Sequence, residues 1–115
     1  MPENELPIVR IDASRIVDWS SFHEVFAETM GFPQFYGRNM NAWIDCLTYL
    51  DEPEAGMTNI HAPCGGVVTL LIDNAEDFRA RCPDQHAALV ECAAFVNWRR
   101  IERGEPSVLA LAFHK

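Results

Sequence analysis

The sequence has no apolar run as long as the roughly 18 residues that a membrane-spanning helix requires. Its first residues, MPENELPIVR, lack the basic start and apolar middle of a secretory signal peptide. The four cysteines are too few and too scattered for a disulfide-stabilised secreted domain. We therefore expect a soluble, cytoplasmic protein with reduced thiols.

Positive charge is also scarce. Nine lysines and arginines stand against 17 acids, which gives a net charge of −8, and most of the acidic excess lies in residues 1–66. An acidic surface repels nucleic acid and anionic membranes and speeds association with basic partners. We expect neither nucleic acid nor membrane as a partner, although an acidic surface that only maintains solubility explains the same charge.

Motifs of common enzymes are absent: the sequence has no P-loop, no G-x-S-x-G and no H-E-x-x-H. His23 and Asp45 lie on predicted helices that could approach each other. A catalytic set also needs a nucleophile and an orienting group, and no such arrangement is evident. We therefore predict that the protein is not an enzyme.

Two Cys/His pairs have the composition of a zinc site, namely His61 with Cys64 and Cys82 with His86. They face each other only if the long loop that holds the first pair folds back onto the helix that begins after Cys82. Buried or idle cysteines are the simpler interpretation. We therefore predict no metal and no other cofactor.

The pattern of apolar residues predicts three strands and four helices within one domain, residues 1–115. Strands are predicted at 6–14, 67–73 and 107–113. The middle one, VVTLLID, is apolar without alternation, which predicts a strand buried on both faces of a sheet. The order strand, two helices, strand, two helices, strand predicts an α/β fold with a three-stranded parallel sheet.

Helical periodicity and capping residues locate the four helices. The first is predicted to start at an N-cap on Ser20 or Ser21 and to end at Gly31. The others are predicted from Asn39 to about Leu50, over 75–81, and from Pro83 to about Arg103. The buried stripe predicted for the last helix comprises Ala88, Leu89, Val90, Cys92, Phe95, Val96, Trp98 and Ile101.

Two further segments invite interpretation. The loop at residues 51–66 is long for a small domain, which makes it either mobile or functional. Arg99, Arg100 and Arg103 lie in the last turns of the last predicted helix, where cations compensate the helix dipole. In a net acidic chain they are poor evidence for phosphate binding.

A helical wheel divides the second predicted helix into two arcs. One arc is apolar (Met40, Trp43, Cys46, Leu47 and Leu50), the other holds Asn41, Asp45 and Thr48, and Ile44 lies at the border. Asp45 is therefore predicted to point away from the core, close to an aromatic-rich loop. A carboxylate in such surroundings can bind a cationic group of a partner. A solvated helix residue is the alternative.

Residues 22–50, FHEVFAETMGFPQFYGRNMNAWIDCLTYL, resemble the barstar family of intracellular ribonuclease inhibitors. The resemblance rests on a Pro-x-aromatic-Tyr-Gly-x-Asn loop followed by a helix and by Asp-Cys-Leu-Thr. It implies a barstar-like fold in which this loop and helix plug the active site of a basic nuclease. The predicted partner contacts are Phe35, Tyr36, Gly37, Arg38, Asn39, Asn41, Ile44, Asp45 and Thr48.

The chain departs from the family's prototype at several positions. Asn41 stands where the prototype has a second aspartate, and Arg99 and Arg100 lie near the place of a further acid. The loop at residues 51–66 has no close counterpart. We expect an inhibitor or immunity protein for a basic nuclease or nuclease-type toxin. An adaptor of the same fold with a different partner, and a small enzyme or metal module, are the alternatives.

Overall fold

Three parallel strands form one sheet in the order β1-β2-β3, in a computed structural model that describes residues 7–115. The strands are β1 (Ile8–Asp12), β2 (Val68–Asp73) and β3 (Leu109–Phe113). The helices are α1 (Trp19–Met30), α2 (Met40–Thr48), α3 (Ala75–Arg81) and α4 (Pro83–Glu102). The predicted α/β fold and element order are thus confirmed. Leu6, the first residue of the predicted β1, lies outside the described residues.

The sheet is covered mainly on one face. Both crossovers step one strand in the same direction, so right-handed connections place both pairs of helices on the same side. On that side Val9 and Leu70 pair in register and are buried. On the other side Arg10 is exposed and its register partner Leu71 is half-buried. The prediction that β2 is buried on both faces is therefore wrong.

The N-cap of helix α1 lies two or three residues before the predicted caps. Asp18 is the N-cap: its carboxylate accepts from the Ser21 N–H at 2.8 Å, and the Ser21 hydroxyl accepts from the Asp18 N–H at 3.0 Å. The backbone hydrogen bond from Ser21 lowers the pKa of Asp18. Ser21 therefore completes a capping box instead of being the cap itself, and Ser20 lies inside the helix.

Helix α4 buries a narrower stripe than its apolar residues suggest. Leu89, Ala93 and Val96 are buried, together with the charged Arg100. Four members of the predicted stripe are instead exposed: Val90, Phe95, Trp98 and Ile101. The prediction fails for these four because α4 packs against α2, α3 and β3 on one side only and leaves the other side in solvent.

Residues 51–66 are tied to both helices that precede them. Asn59 donates its N–H to Met30 O at the end of α1, and Ala62 donates to Leu50 O just after α2, each at 2.8 Å. A short 3-10 helix, Pro53–Ala55, is the regular structure in this loop. The loop therefore fixes the ends of α1 and α2, which frame the candidate site.

Candidate protein-binding surface

The segment between α1 and α2 is an ordered loop with an aromatic tip. Gly31 ends α1 at φ 70°, and a Cβ added there would lie 2.8 Å from the Cβ of Asn59, so glycine is required on both counts. The Tyr36 N–H donates to Pro33 O at 2.9 Å and closes a turn. Phe35, within this turn, is 75% exposed, which leaves a large apolar side chain available for contact.

Tyr36 points inward and anchors the loop. Its hydroxyl lies 2.6 Å from Nδ1 of His23 on α1, and its ring packs on Phe32 with the centroids 4.6 Å apart. Burial raises the pKa of Tyr36, while burial and then the charge of Arg38 lower the pKa of His23. Both groups are uncharged at neutral pH, so the phenol donates to a neutral imidazole. The Tyr36 side chain thus holds the loop on α1 and is not exposed.

Asn39 joins the loop to α2. Its side-chain oxygen accepts from the Ala42 N–H at 2.8 Å, which confirms the predicted N-cap, and its side-chain N–H donates to Gly37 O at 3.2 Å. A Cβ on Gly37 would lie 3.2 Å from that amide nitrogen, so the cap fits best beside glycine. Arg38 lies between them at φ 53° and is exposed. The cap therefore positions Arg38 as well as the first turn of α2.

Helix α2 is anchored by its buried side. Trp43 and Leu47 are fully buried, and Trp43 meets Phe26 of α1 edge to face with the ring centroids 5.6 Å apart. Asn41 and Asp45, one turn apart, are exposed. We use the name loop–helix face for the exposed residues of this region: Phe35, Gly37, Arg38, Asn39, Asn41 and Asp45.

Two predicted contact residues of α2 lie inside the molecule. Thr48, predicted on the exposed arc, is buried, and its hydroxyl donates to Ile44 O at 2.7 Å. Ile44, expected at the border, is buried as well. The predicted exposure of Thr48 is wrong because α4 packs beside α2, so this helix has neighbours on more than one side. Neither side chain can be reached without a rearrangement of α2.

The carboxylate of Asp45 already has a partner within the molecule. Arg99 on α4 donates from Nη1 to Asp45 Oδ1 at 2.9 Å. The Asp45 side chain is 58% exposed and that of Arg99 33% exposed, so the ion pair lies at the surface. An exposed pair of this kind contributes little to stability, about 0 to 1 kcal/mol. Its importance is positional, because it sets a cation at the edge of the loop–helix face.

Arg100, the next residue, fixes the carboxyl end of α2 from inside. It is buried, and its Nη1 donates to Thr48 O at 2.8 Å. Its guanidinium also binds both oxygens of Asp51, at 3.0 and 2.7 Å, and these hydrogen bonds lower the pKa of that carboxyl. Arg100 therefore does more than compensate the dipole of its own helix, because Nη1 and Nη2 donate to Thr48 O and Asp51 while Nε donates to Pro106 O.

The sequence matches, over residues 6–111, the model of the family described as Barstar (barnase inhibitor). This chain belongs to the barstar family. The matched range includes the loop, α2 and α4, and hence the whole loop–helix face. No curated protein gives a match to the sequence.

Arg99 of this barstar-family protein borders the loop–helix face through its ion pair with Asp45, although it is not among the predicted contacts. Phe95 lies one turn earlier on α4 and is 47% exposed, although it was expected to be buried. Phe95 is apolar and therefore falls into the predicted buried stripe. On the helical wheel Phe95 lies about 100° from the buried Val96, and this angle indicates that Phe95 lies outside the buried stripe of α4. For Arg99 no local signal exists, because Asp45 is 54 positions away.

The groups considered for catalysis are engaged elsewhere. His23 binds Tyr36, and Asp45 binds Arg99, so the two do not form an acid–base pair. Cys46, beside Asp45, is buried, and burial followed by the Asp45 charge raises the pKa of its thiol to about 11. A thiol with that pKa stays protonated at neutral pH and is a poor nucleophile.

Two of the four side chains considered for zinc, Cys82 and His86, have other neighbours. Cys82 Sγ lies 3.6 Å from Ile16 O, and the His86 ring stacks on Phe113 with the centroids 5.6 Å apart. Within residues 7–115, no three or more His, Cys, Asp or Glu side chains are grouped so that they could hold a metal ion. In the same range, no helix has the length and apolar character needed to cross a bilayer.

Proposed function

We propose that this protein is a non-enzymatic inhibitor that binds a basic nuclease and covers its active site with the loop–helix face. The observation that carries the proposal is the internally anchored loop and helix of a barstar-family chain, which leave Phe35 on the loop and Asp45 on α2 exposed. An exposed aromatic on the same loop–helix face as a carboxylate suits the hot spot of a protein interface.

The loop–helix face is ordered before any partner arrives. Tyr36 fastens the loop to His23, Asn39 caps α2, and Arg100 holds the end of α2. Little conformational freedom is therefore lost when a partner binds, and this favours affinity. The net charge of −8 supports a basic partner, because it accelerates association with positively charged proteins at low salt.

The test is inhibition of RNA cleavage by a panel of secreted basic ribonucleases, with barnase as the reference. We expect the protein to abolish the activity of at least one of them at a one-to-one ratio. Phe35→Ala and Asp45→Ala should each weaken that inhibition by more than about 2 kcal/mol, roughly 30-fold in the inhibition constant, as for interface hot spots.

A matched control is Asp77→Ala. Asp77 is 59% exposed and is bound by Arg81 at 2.7 Å, so it resembles Asp45 in exposure and pairing but lies on α3. This variant should inhibit like the unaltered protein. If no ribonuclease is inhibited, and affinity capture from the native cytoplasm or from toxins of neighbouring strains returns only acidic or non-nuclease proteins, the proposal fails.

One observation favours a second candidate, an adaptor of the same fold whose partner is not a nuclease. Asp45 is bound to Arg99, so the loop–helix face does not offer a free carboxylate to a cationic active site. The affinity capture described above discriminates the two, because an adaptor returns a non-nuclease partner whose binding also depends on Phe35.

A cytoplasmic location is part of the proposal. All four cysteines are free thiols, Cys64 is exposed, and the other three are buried or half-buried. This state suits a reducing compartment. Fractionation of the native cells, with the protein followed by antibody, tests the location directly.

A further inference from the structure

The charges of the loop–helix face differ in sign from those of the whole chain. Residues 31–48 contain only two charged side chains, Arg38 and Asp45. The adjoining turn of α4 adds Arg99, which is bound to Asp45. Two cations therefore accompany one anion on a protein whose net charge is −8. The acidic character of the chain resides outside this surface.

Arg99 determines what can approach Asp45. Its Nη1 lies 2.9 Å from Oδ1, so a second cation that reaches the carboxylate also meets the guanidinium at close range. The other carboxylate oxygen, Oδ2, accepts no side-chain hydrogen bond from residues 7–115 and is open to a donor. Arg38 takes part in no ion pair within that range. Within the described residues, nearby carboxylates therefore do not neutralise both arginines, since Asp45 is the single anion of the loop–helix face.

We propose that Arg99 is a specificity residue, which selects a partner that brings a basic group to Asp45 and a carboxylate to Arg99. The inference rests on the proposed function only in that the loop–helix face must bind a partner. Burying Arg99 beneath a uniformly basic surface leaves it to share one carboxylate with the incoming cations, and this disfavours binding. A surface of mixed charge completes both members of the pair and is favoured.

Two blocked hexapeptides test the charge selection without a known partner: hexa-arginine and an alternating arginine–glutamate sequence. Each is titrated at low salt into the ¹⁵N-labelled protein, and affinity at the loop–helix face is read from the amide signals of Asn41 and Asp45. Arg99→Gln should tighten hexa-arginine and weaken the alternating peptide, each by roughly two- to fivefold, the range of an exposed ion pair. The matched control is Arg15→Gln, because Arg15 is an exposed arginine paired with Glu28 at 3.2 Å on another part of the surface.

The inference is supported if Arg99→Gln changes the affinities for the two peptides in opposite directions and Arg15→Gln does not. The inference is overturned if Arg99→Gln changes the affinity for both peptides in the same direction or leaves both unchanged. It is also overturned if Arg15→Gln has an equal effect, or if no variant binds either peptide at this face. For any ribonuclease that the protein inhibits, Arg99→Gln should weaken inhibition at least about tenfold. Equal inhibition refutes this inference and leaves the proposed function standing. If the two peptide affinities change in opposite directions but no nuclease is inhibited, the proposed function is refuted and this inference stands.

Discussion

Replacing Arg100 with methionine removes four hydrogen bonds from a single buried side chain. The guanidinium donates to Thr48 O and Pro106 O, each at 2.8 Å, and to both oxygens of Asp51. Methionine fills part of the same volume without donors. The variant therefore separates the polar contribution of Arg100 from the filling of space.

The expected cost follows from what is left behind. Thr48 O remains in a buried place without its donor, which costs about 1 to 3 kcal/mol. Asp51 is 29% exposed, so water can replace part of the hydrogen bonding that its carboxylate loses. The cost of breaking the Arg100–Asp51 pair should therefore lie at the lower end of the range for buried ion pairs. Together we expect a loss of about 4 to 6 kcal/mol in the free energy of unfolding. This is a large share of the roughly 5 to 15 kcal/mol available to a domain.

Arg99→Gln is the matched comparison, because Arg99 is the preceding residue on the same helix and also binds an aspartate. Its pair with Asp45 is exposed to solvent, so its loss should cost less than about 1 kcal/mol. Urea unfolding followed by circular dichroism gives both values from the midpoint and slope. Equal costs for the two variants, or a cost below about 1 kcal/mol for Arg100→Met, would refute the assignment of Arg100 as the buried anchor.

The same pair predicts a dependence on pH. The hydrogen bonds from Arg100 hold the pKa of Asp51 below its ordinary 3.8. A carboxyl with a lowered folded pKa stabilises the fold above the unfolded pKa and loses that contribution as the pH falls through the folded pKa. Stability should therefore decline below about pH 4. In Arg100→Met this part of the decline should be absent from the unfolding midpoints measured along the pH series.

Other variants test the anchors of the loop–helix face. Tyr36→Phe leaves Nδ1 of His23 without its donor and should cost about 1 to 3 kcal/mol by urea unfolding; a cost below about 0.5 kcal/mol contradicts the anchoring role. His23 has a lowered folded pKa, so the stability it provides is complete above its unfolded pKa of 6.5 and should fall as the pH drops from there through the folded pKa; a flat profile contradicts this. Gly31→Ala forces alanine into φ 70° and should lower the thermal midpoint, with a cost of about 1 to 3 kcal/mol. Thiol titration with a disulfide reagent should modify the exposed Cys64 first and the buried Cys46 last, and the reverse order contradicts their placement.

Local signals in the sequence were sufficient for the order of the elements and for several of the helix ends. Asn39 is the predicted cap of α2, and Pro83 begins α4 as expected. Caps and periodicity depend on neighbours within one or two turns, which the sequence displays directly. The cap of α1 was misplaced because Asp18, Ser20 and Ser21 are all good capping residues, and only the tertiary position of the first turn distinguishes them.

Contacts between distant segments set the parts that were not predicted. Thr48 is polar and suits an exposed arc, yet the packing of α4 on α2 buries it. Phe95 and Trp98 are apolar and suit a core, yet they lie on the open side of α4. The partner of Asp45 comes from α4 as well, so the charge of the candidate site depends on how two helices meet. Local periodicity cannot supply that information.

Arg100 joins segments that are about 50 positions apart in the chain, since it binds Thr48 and Asp51 on one side and Pro106 on the other. Separating α2 from α4 would therefore expose or orphan a buried charge. Such an opening costs a large share of the stability of the domain, which favours opening of α2 only together with the rest of the fold. Amide hydrogens of α2 should then exchange through global unfolding, at nearly the rate of the central strand. The helix of the candidate interface thus behaves as part of the cooperative core, even though one side of it faces solvent.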